Sequence, residues 1–151
     1  MKFNLPKSIA DKARREAKKH FPNECYVELI GTISKKNKVI TVIDTYIPED
    51  LSKYNSPDQV EIPPHWRKES NKYAKSVGGV IIGSIHSHPY SFEYCQRSPG
   101  YTSDVSPSAA DWECIGDEIM GILVIREDKN EKFDTRLKFY GPMLRLDVRY
   151  N

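Results

Sequence analysis

The sequence lacks the features that would direct attention to a membrane, a secretory pathway or nucleic acid. No apolar run approaches the roughly 20 residues needed to span a bilayer, and the N-terminus has no apolar segment of the kind found in secretion signals. The three cysteines are an odd number at unrelated spacings, so we expect no disulfide framework. With 23 basic and 21 acidic residues the net charge is only +2, which argues against nucleic acid and membrane surfaces as partners. We therefore predict a cytoplasmic protein.

Motifs of several enzyme classes are also missing. The chain has no glycine-rich phosphate loop and no Gly-x-Ser-x-Gly nucleophile elbow. The segment from Cys95 to Ser98 does not supply the Pro-Cys-x-x-Cys ligand pair of zinc deaminases. At 151 residues the chain is too short for a barrel hydrolase, which needs about 250 residues.

Hydrophobic periodicity predicts one α/β domain over residues 1–151, built on a single mixed β-sheet flanked by helices. The predicted helices cover residues 7–21, 65–77 and 108–117. The predicted strands cover residues 25–34, 38–47, 80–87, 119–126 and 135–140. Two longer segments, 48–64 and 90–107, are predicted to be a polar loop and an irregular connection.

Two histidines come just after the apolar run from Gly79 to Ile85. His86 and His88 are two residues apart, so in an extended chain their side chains point to the same face. A carboxylate that returns to this point would complete three protein ligands and leave a fourth position open for water. Catalytic zinc is held in this way, whereas structural zinc has four protein ligands. The pattern therefore indicates a zinc hydrolase.

The sequence His86-x-His88-Pro89, followed by Ser108-x-x-Asp111, resembles the signature of the JAMM (MPN+) zinc metalloprotease family. That family also carries a glutamate at the entrance to the first sheet strand, seven residues before a glycine. Glu24 has this spacing to Gly31. Glu28 lies on the same strand face and is a rival carboxylate that composition alone does not exclude. Ser108-x-x-Asp111 also has the form of a helix capping box, which needs no catalytic function.

The resemblance implies an MPN (cytidine-deaminase-like) fold and a role for each motif residue. His86, His88 and Asp111 would hold one zinc ion per chain. Glu24 would act as general base, and Ser108 would stabilise the oxyanion. Because all five residue types are present, the resemblance implies an active enzyme.

The segment between Pro89 and Ser108 is longer than the usual connection in that family by about ten residues. It begins next to the histidines and is rich in aromatic residues. It is either a self-packed loop or a lid that binds substrate. We predict substrate contacts for Phe92, Tyr94 and Tyr101.

The resemblance further implies hydrolysis of the amide bond after the C-terminal tail of a ubiquitin-like or sulfur-carrier-like protein. A short stand-alone domain is typical of the prokaryotic or viral branch, where conjugates of bacterial defence systems are also substrates. Two alternatives are a metal-free MPN scaffold and a DNA-repair-associated relative of the fold. The basic residues over 12–19 are more simply the solvated face of the first helix. The sequence predicts no oligomeric state.

Overall fold

The computed structural model describes residues 1–102, 104–114, 118–141 and 147–151. The strands are β1 (Lys2–Leu5), β2 (Tyr26–Ser34), β3 (Val39–Tyr46), β4 (Val80–Tyr90), β5 (Ile119–Glu127), β6 (Phe133–Tyr140) and β7 (Asp147–Tyr150). The helices are α1 (Lys7–His20), α2 (Pro64–Ser76), α3 (Phe92–Arg97), α4 (Pro99–Thr102) and α5 (Ala109–Cys114), with a 3₁₀ turn at Leu51–Lys53. Over these ranges no helix has both the length and the apolar character needed to cross a membrane.

The strands form one seven-stranded sheet in the order β6-β5-β4-β2-β3-β1-β7. β4 pairs in parallel with β5 and antiparallel with β2, so the predicted single mixed sheet is confirmed. The terminal strands β1 and β7, which pair in parallel with each other, were not predicted. Each has four residues, which is too short for a period-two pattern to stand out from neighbouring residues.

The two faces of the sheet are covered differently. The predicted first helix is confirmed as α1, and its apolar face packs into the core with alternate residues of β2 and β5. These core residues are Ile9, Ala10, Ala13, Ala17, Leu29, Leu123 and Ile125. On the opposite face, the Trp66 ring of α2 stacks on Tyr26 at a centroid distance of 5.5 Å. A separate apolar cluster of Met120, Ile122 and Val124 lies on that same face of β5.

β4 continues through both histidines to Tyr90, three residues beyond the predicted end of the strand. Pro89 is compatible with this extension because its nitrogen lies on the side of β4 that faces away from β5. The amide of Ser87 donates to the Cys25 carbonyl, so amides at odd positions point away from β5. The pairing of β2 with β4 ends at His86, so the missing N–H of Pro89 costs no ladder hydrogen bond.

The prediction of an irregular connection over residues 90–107 was wrong in part. After β4 the chain forms the two short helices α3 and α4. Ser91 caps α3, because its hydroxyl accepts a hydrogen bond from the Tyr94 amide at 3.2 Å. Helices of four to six residues are too short to show a 3.6-residue period in the sequence. The predicted helix after Ser108 is α5, and its predicted end at Asp117 lies outside the described residues.

Gly83 allows β4 and β5 to approach closely just before the histidines. A Cβ atom built on Gly83 would meet the carbonyl oxygen of Ile119 and lie 2.8 Å from its carbonyl carbon. Both obstacles are main-chain atoms, so the two strands would have to separate to make room. Gly100 in α4 has nothing within 4 Å of the equivalent position.

We predict that Gly83→Ala lowers the free energy of unfolding by about 3 kcal/mol, because it forces the two central strands apart. Gly100→Ala is the matched control and should change it by less than about 0.5 kcal/mol. Urea unfolding followed by circular dichroism measures both. Equal effects of the two substitutions would contradict the close approach of β4 and β5.

Candidate metal centre

His86 and His88 point to one face of β4, as their spacing predicted. Their Nε2 atoms are 3.1 Å apart, and both side chains are largely buried. Main-chain pairing fixes their positions, since His86 lies opposite Tyr26 on β2 and Ile122 on β5, and His88 lies opposite Val124. The two imidazoles are therefore aimed at one point by the register of three strands.

Asp111, on the first turn of α5, reaches the same point. Its Oδ1 atom is 3.0 Å from Nε2 of His86, and its Oδ2 atom is 3.2 Å from Nε2 of His88. The predicted capping box is present as well. The Ser108 amide donates to Asp111 Oδ2 at 2.8 Å, and the Asp111 amide donates to Ser108 Oγ at 3.1 Å. This reciprocal pair fixes the start of the helix and aims the carboxylate at the histidines.

The environment of Asp111 favours its ionised form. Burial acts to raise the pKa of this carboxyl, but hydrogen bonds from His86 and His88 outweigh it. The charge interaction with His86 and the hydrogen bond from the Ser108 amide add to the effect, so the pKa of Asp111 lies well below its usual range. An ionised carboxylate is the form that a divalent metal binds.

Glu24 lies just before β2, and one carboxylate oxygen is within 4.8 Å of ligand nitrogens of both histidines. The residue is buried. Burial, followed by the negative charges of Asp111 and Asp58, raises the pKa of Glu24 to about 8. The site therefore holds two carboxyl groups whose surroundings act on them in opposite directions.

Glu28, the rival carboxylate, belongs to a different network. It is fully buried, and its Oε1 atom accepts hydrogen bonds from the Tyr26 hydroxyl at 2.9 Å and from Arg67 Nε at 3.4 Å. Arg67 also forms a bidentate ion pair with Glu118, in which Nη2 lies 3.0 Å from Oε2. The structure thus brings Glu24, and not Glu28, to the histidine pair.

Ser108 is exposed at the mouth of this cluster. Its oxygen accepts the Asp111 amide in the cap, and a hydroxyl that accepts in this way still has its hydrogen to donate. Capping and an interaction with substrate are therefore compatible for this side chain.

Two of the three predicted substrate residues, Tyr94 and Tyr101, are connected through Tyr90 to the apolar cluster on the histidine face of the sheet. Tyr94 and Tyr101 are exposed and their rings are 6.2 Å apart. Both contact Tyr90, which stacks on Tyr94 at 5.4 Å and meets Tyr101 edge-on at 5.9 Å. Phe92 is half-buried, and its amide donates to the Glu127 carboxylate at 3.4 Å. We call the three tyrosines the tyrosine cluster.

Two residues of the site were not predicted from the sequence. Tyr90 is two residues after His88, so the period of two that aligned the histidines could also have assigned it to their face. Asn55, whose Nδ2 atom donates to the Glu24 carbonyl at 2.9 Å, carries no sequence signal because it lies 31 residues away in a polar loop.

The donor atoms fit zinc in both chemistry and spacing. Two imidazole nitrogens and a carboxylate oxygen are three of the ligand types that zinc prefers. The two nitrogens are 3.1 Å apart, and each lies 3.0 or 3.2 Å from a different oxygen of the Asp111 carboxylate. These distances are close to the roughly 3.3 Å expected between two ligand atoms of a tetrahedral zinc ion. His86, His88 and Asp111 could therefore hold the metal with little rearrangement, and Glu24 lies beside them.

Comparison with known proteins identifies the family. Residues 6–94 match the family described as prokaryotic homologs of the JAB domain. The chain belongs to this family. The matched range contains Glu24, His86 and His88 and ends before Ser108 and Asp111. Membership of this family agrees with the resemblance to JAMM proteins, because it suggests the JAMM/MPN superfamily. No curated protein matches the sequence significantly.

Two solution structures share the fold of this prokaryotic JAB-domain homolog. A protein from Desulfitobacterium hafniense is 18% identical with a TM-score of 0.59, and the alignment covers 100% of this chain and 94% of that one. A protein from Salinibacter ruber is 15% identical with a TM-score of 0.54, covering 100% and 92%. At these identities the similarity concerns the fold alone.

The raised pKa of Glu24 predicts a pH-dependent stability of the metal-free protein. The pKa of a glutamate in an unfolded chain is about 4.5, and the pKa of Glu24 in the folded chain is about 8, so the folded state holds this proton more tightly. The stabilisation is complete below about pH 4.5 and is lost as the pH rises towards 8. As the pH rises from about 5 to about 7.5, the loss of this stabilisation should lower the free energy of unfolding by on the order of 3 kcal/mol.

Urea unfolding in the presence of a chelator, at both pH values, measures this change. Glu24→Gln should remove that part of the pH dependence and make the metal-free protein more stable at pH 7.5. Glu49→Gln, on an exposed loop, is the matched control and should behave as wild type. An unaltered pH dependence in Glu24→Gln would contradict the assignment of the raised pKa to this residue.

Proposed function

We propose that this prokaryotic JAB-domain homolog is a zinc-dependent peptidase that hydrolyses an amide bond. The observation that carries the proposal is the convergence of Nε2 of His86, Nε2 of His88 and the carboxylate of Asp111, with buried Glu24 beside them. Three protein ligands leave a fourth position for water or substrate, which is the arrangement of catalytic zinc sites.

The chemistry supplied by bound zinc is a lowered pKa for water, from about 15.7 to about 7, and polarisation of the substrate carbonyl. Glu24, in the ionised form that the charge of a nearby bound metal would favour, would accept the proton of the attacking water and deliver it to the leaving amine. Its buried position limits exchange of that proton with bulk water. The Ser108 hydroxyl donates a hydrogen bond to the carbonyl oxygen as negative charge develops there, an interaction often worth about 3 kcal/mol.

The substrate of this proposal is the amide bond after the C-terminal tail of a ubiquitin-like or sulfur-carrier-like protein. Family membership supports this substrate class. The exposed rings of Tyr94 and Tyr101, close to the histidine-bearing end of β4, would contact the body of such a protein, with Phe92 at the edge of that surface. A cytoplasmic location and the absence of nucleic acid and membrane partners stay predictions from composition.

The proposal includes an MPN (cytidine-deaminase-like) fold in a single catalytic domain over residues 1–151. The order of sheet strands supports it, because one central strand, β4, carries both histidines. Helix α5 then returns Asp111 to the same face of the sheet. All five proposed functional residues thus come from three short segments around β4.

No specific observation favours the two alternatives. A metal-free scaffold has no use for three converging ligand atoms or for a buried glutamate beside them. A DNA-associated relative would need a basic surface near the site. The exposed basic residues of α1, such as Arg15, Lys18 and Lys19, belong to a helix that packs on the opposite face of the sheet from the histidines.

Replacing a proposed metal ligand and replacing the proposed general base should have different effects on zinc content and turnover. We predict about one zinc per chain in wild-type protein, and loss of both zinc and hydrolysis in His88→Ala and Asp111→Ala, because two remaining ligands do not hold the ion. Glu24→Gln should retain zinc and lose nearly all turnover. Inductively coupled plasma mass spectrometry and an assay on a fusion with a ubiquitin-like protein measure the two properties.

Glu28→Gln is the control for Glu24→Gln. It alters a carboxylate that the structure separates from the histidines, so zinc content and turnover should be retained even if the protein is less stable. Full zinc occupancy in His88→Ala, or an inactive Glu28→Gln beside an active Glu24→Gln, would contradict the proposed site.

The exposed tyrosines should act on substrate binding. We predict that Tyr94→Ser combined with Tyr101→Ser raises KM for a ubiquitin-like fusion by about tenfold with little change in kcat, because these rings offer contact area but no ligand or proton. For a short peptide carrying only the tail, KM should change far less. Equal losses on both substrates, or loss of zinc, would mean that the tyrosine cluster supports the metal site itself.

A further inference from the structure

The position of Glu24 depends on a loop that is distant in sequence. Glu24 precedes β2, so ladder hydrogen bonds of the sheet do not hold its main chain. Instead its amide donates to the Ser56 carbonyl at 2.9 Å, and its carbonyl accepts from Asn55 Nδ2 at 2.9 Å. Both main-chain polar groups of Glu24 are thus bound by adjacent residues of one loop.

This loop is itself ordered as a small hairpin, which we call the 54–61 hairpin. The Glu61 amide donates to the Tyr54 carbonyl at 2.9 Å, and Asn55 and Val60 form an antiparallel bridge. The Ser56 amide also donates to the Gln59 carbonyl at 2.9 Å. The hairpin can therefore act as a rigid support for the residue that it binds.

The side-chain amide of Asn55 has one possible orientation at this position. Its Nδ2 atom must face the Glu24 carbonyl, because the reverse orientation would place two acceptor oxygens against each other. In the resulting arrangement the Oδ1 atom is buried, and no described group donates a hydrogen bond to it. A buried acceptor without a donor costs folding free energy. The contact with Glu24 explains why an asparagine is nevertheless present.

We propose that Asn55 is a positioning residue for Glu24, and this inference rests on the proposed peptidase function. The N–H of the peptide unit that contains the Glu24 carbonyl, which is that of Cys25, donates to Ser87 Oγ of β4 at 2.7 Å. Asn55 holds the carbonyl end of this peptide unit, and the two bonds together set the distance of the Glu24 carboxylate from the histidine pair. Without this hydrogen bond the carboxylate could shift by about an ångström, which is enough to cost about 100-fold in rate.

The kinetic test uses zinc-loaded protein and a peptide ending in Gly-Gly whose carboxyl group is linked to a fluorescent aromatic amine. Asn55→Ala should lower kcat by about 100-fold, with KM and zinc content unchanged. Asn55→Asp keeps the shape of the side chain but has no N–H donor, so it should be equally impaired. Gln59→Ala is the matched control, because its exposed side chain lies on the same hairpin and only its carbonyl is used.

A double-mutant cycle distinguishes positioning from a general structural role. If Asn55 acts through Glu24, then adding Asn55→Ala to Glu24→Gln should change the residual kcat less than about twofold. A further large loss in that background, loss of zinc in Asn55→Ala, or full activity of Asn55→Asp would overturn the inference.

Amide hydrogen exchange measured by NMR tests without any turnover whether Asn55 holds Glu24 on the hairpin, because the Glu24 amide donates to Ser56, the residue next to Asn55. In Asn55→Ala the Glu24 amide should exchange at least about tenfold faster than in wild type, while the Leu29 amide in β2 should keep its rate. An unchanged rate at Glu24 would overturn the inference. Failure of zinc-loaded wild-type protein to hydrolyse any tail substrate would instead overturn the proposed function, and the exchange rates would still decide whether Asn55 holds Glu24.

Discussion

The hydrogen bonding of β4 to β5 on one side and to β2 on the other determines where the two histidines point. Because the ladders fix β4 along its length, His86 and His88 cannot rotate away from their shared face without breaking several main-chain hydrogen bonds. The close contact of Gly83 with Ile119 sets the separation of β4 and β5 just before the histidines. The histidine pair is therefore as rigid as the centre of the sheet, and only Glu24 and Asp111 are supplied from outside it.

These two carboxyl groups obtain different properties from their surroundings. Asp111 receives hydrogen bonds from two imidazoles and a main-chain amide, which favour its charged form. Glu24 is influenced mainly by burial and by neighbouring negative charge, which favour its neutral form. A pair of carboxyl groups separated in this way can divide the tasks of holding a cation and carrying a proton. Local contacts rather than residue type thus distinguish the two carboxyl groups, as the two proposed roles require.

Much of this arrangement could be predicted from the sequence because it depends on local periodicity. The period of two placed His86 and His88 together, and the capping-box spacing placed Ser108 and Asp111 at a helix start. The hairpin contact of Asn55 could not be predicted, since it joins residues 31 positions apart through a main-chain carbonyl that any residue would offer. Composition did not distinguish Glu24 from Glu28 either, because both lie near one strand. The two glutamates differ because Tyr26 and Arg67 form hydrogen bonds with Glu28 and not with Glu24.

Pro89 has a consequence for any extended chain that lies beside the end of β4. On the side facing away from β5, this position offers a carbonyl acceptor but no donor, so a neighbouring strand cannot complete a regular ladder there. A peptide tail bound along this edge would be held by fewer main-chain hydrogen bonds than a full sheet strand. The same missing donor opposes pairing of this edge with another copy of the chain. If the chain cleaves such a tail as proposed, the cleaved tail would leave more easily, and the edge would favour repeated turnover over tight retention of product.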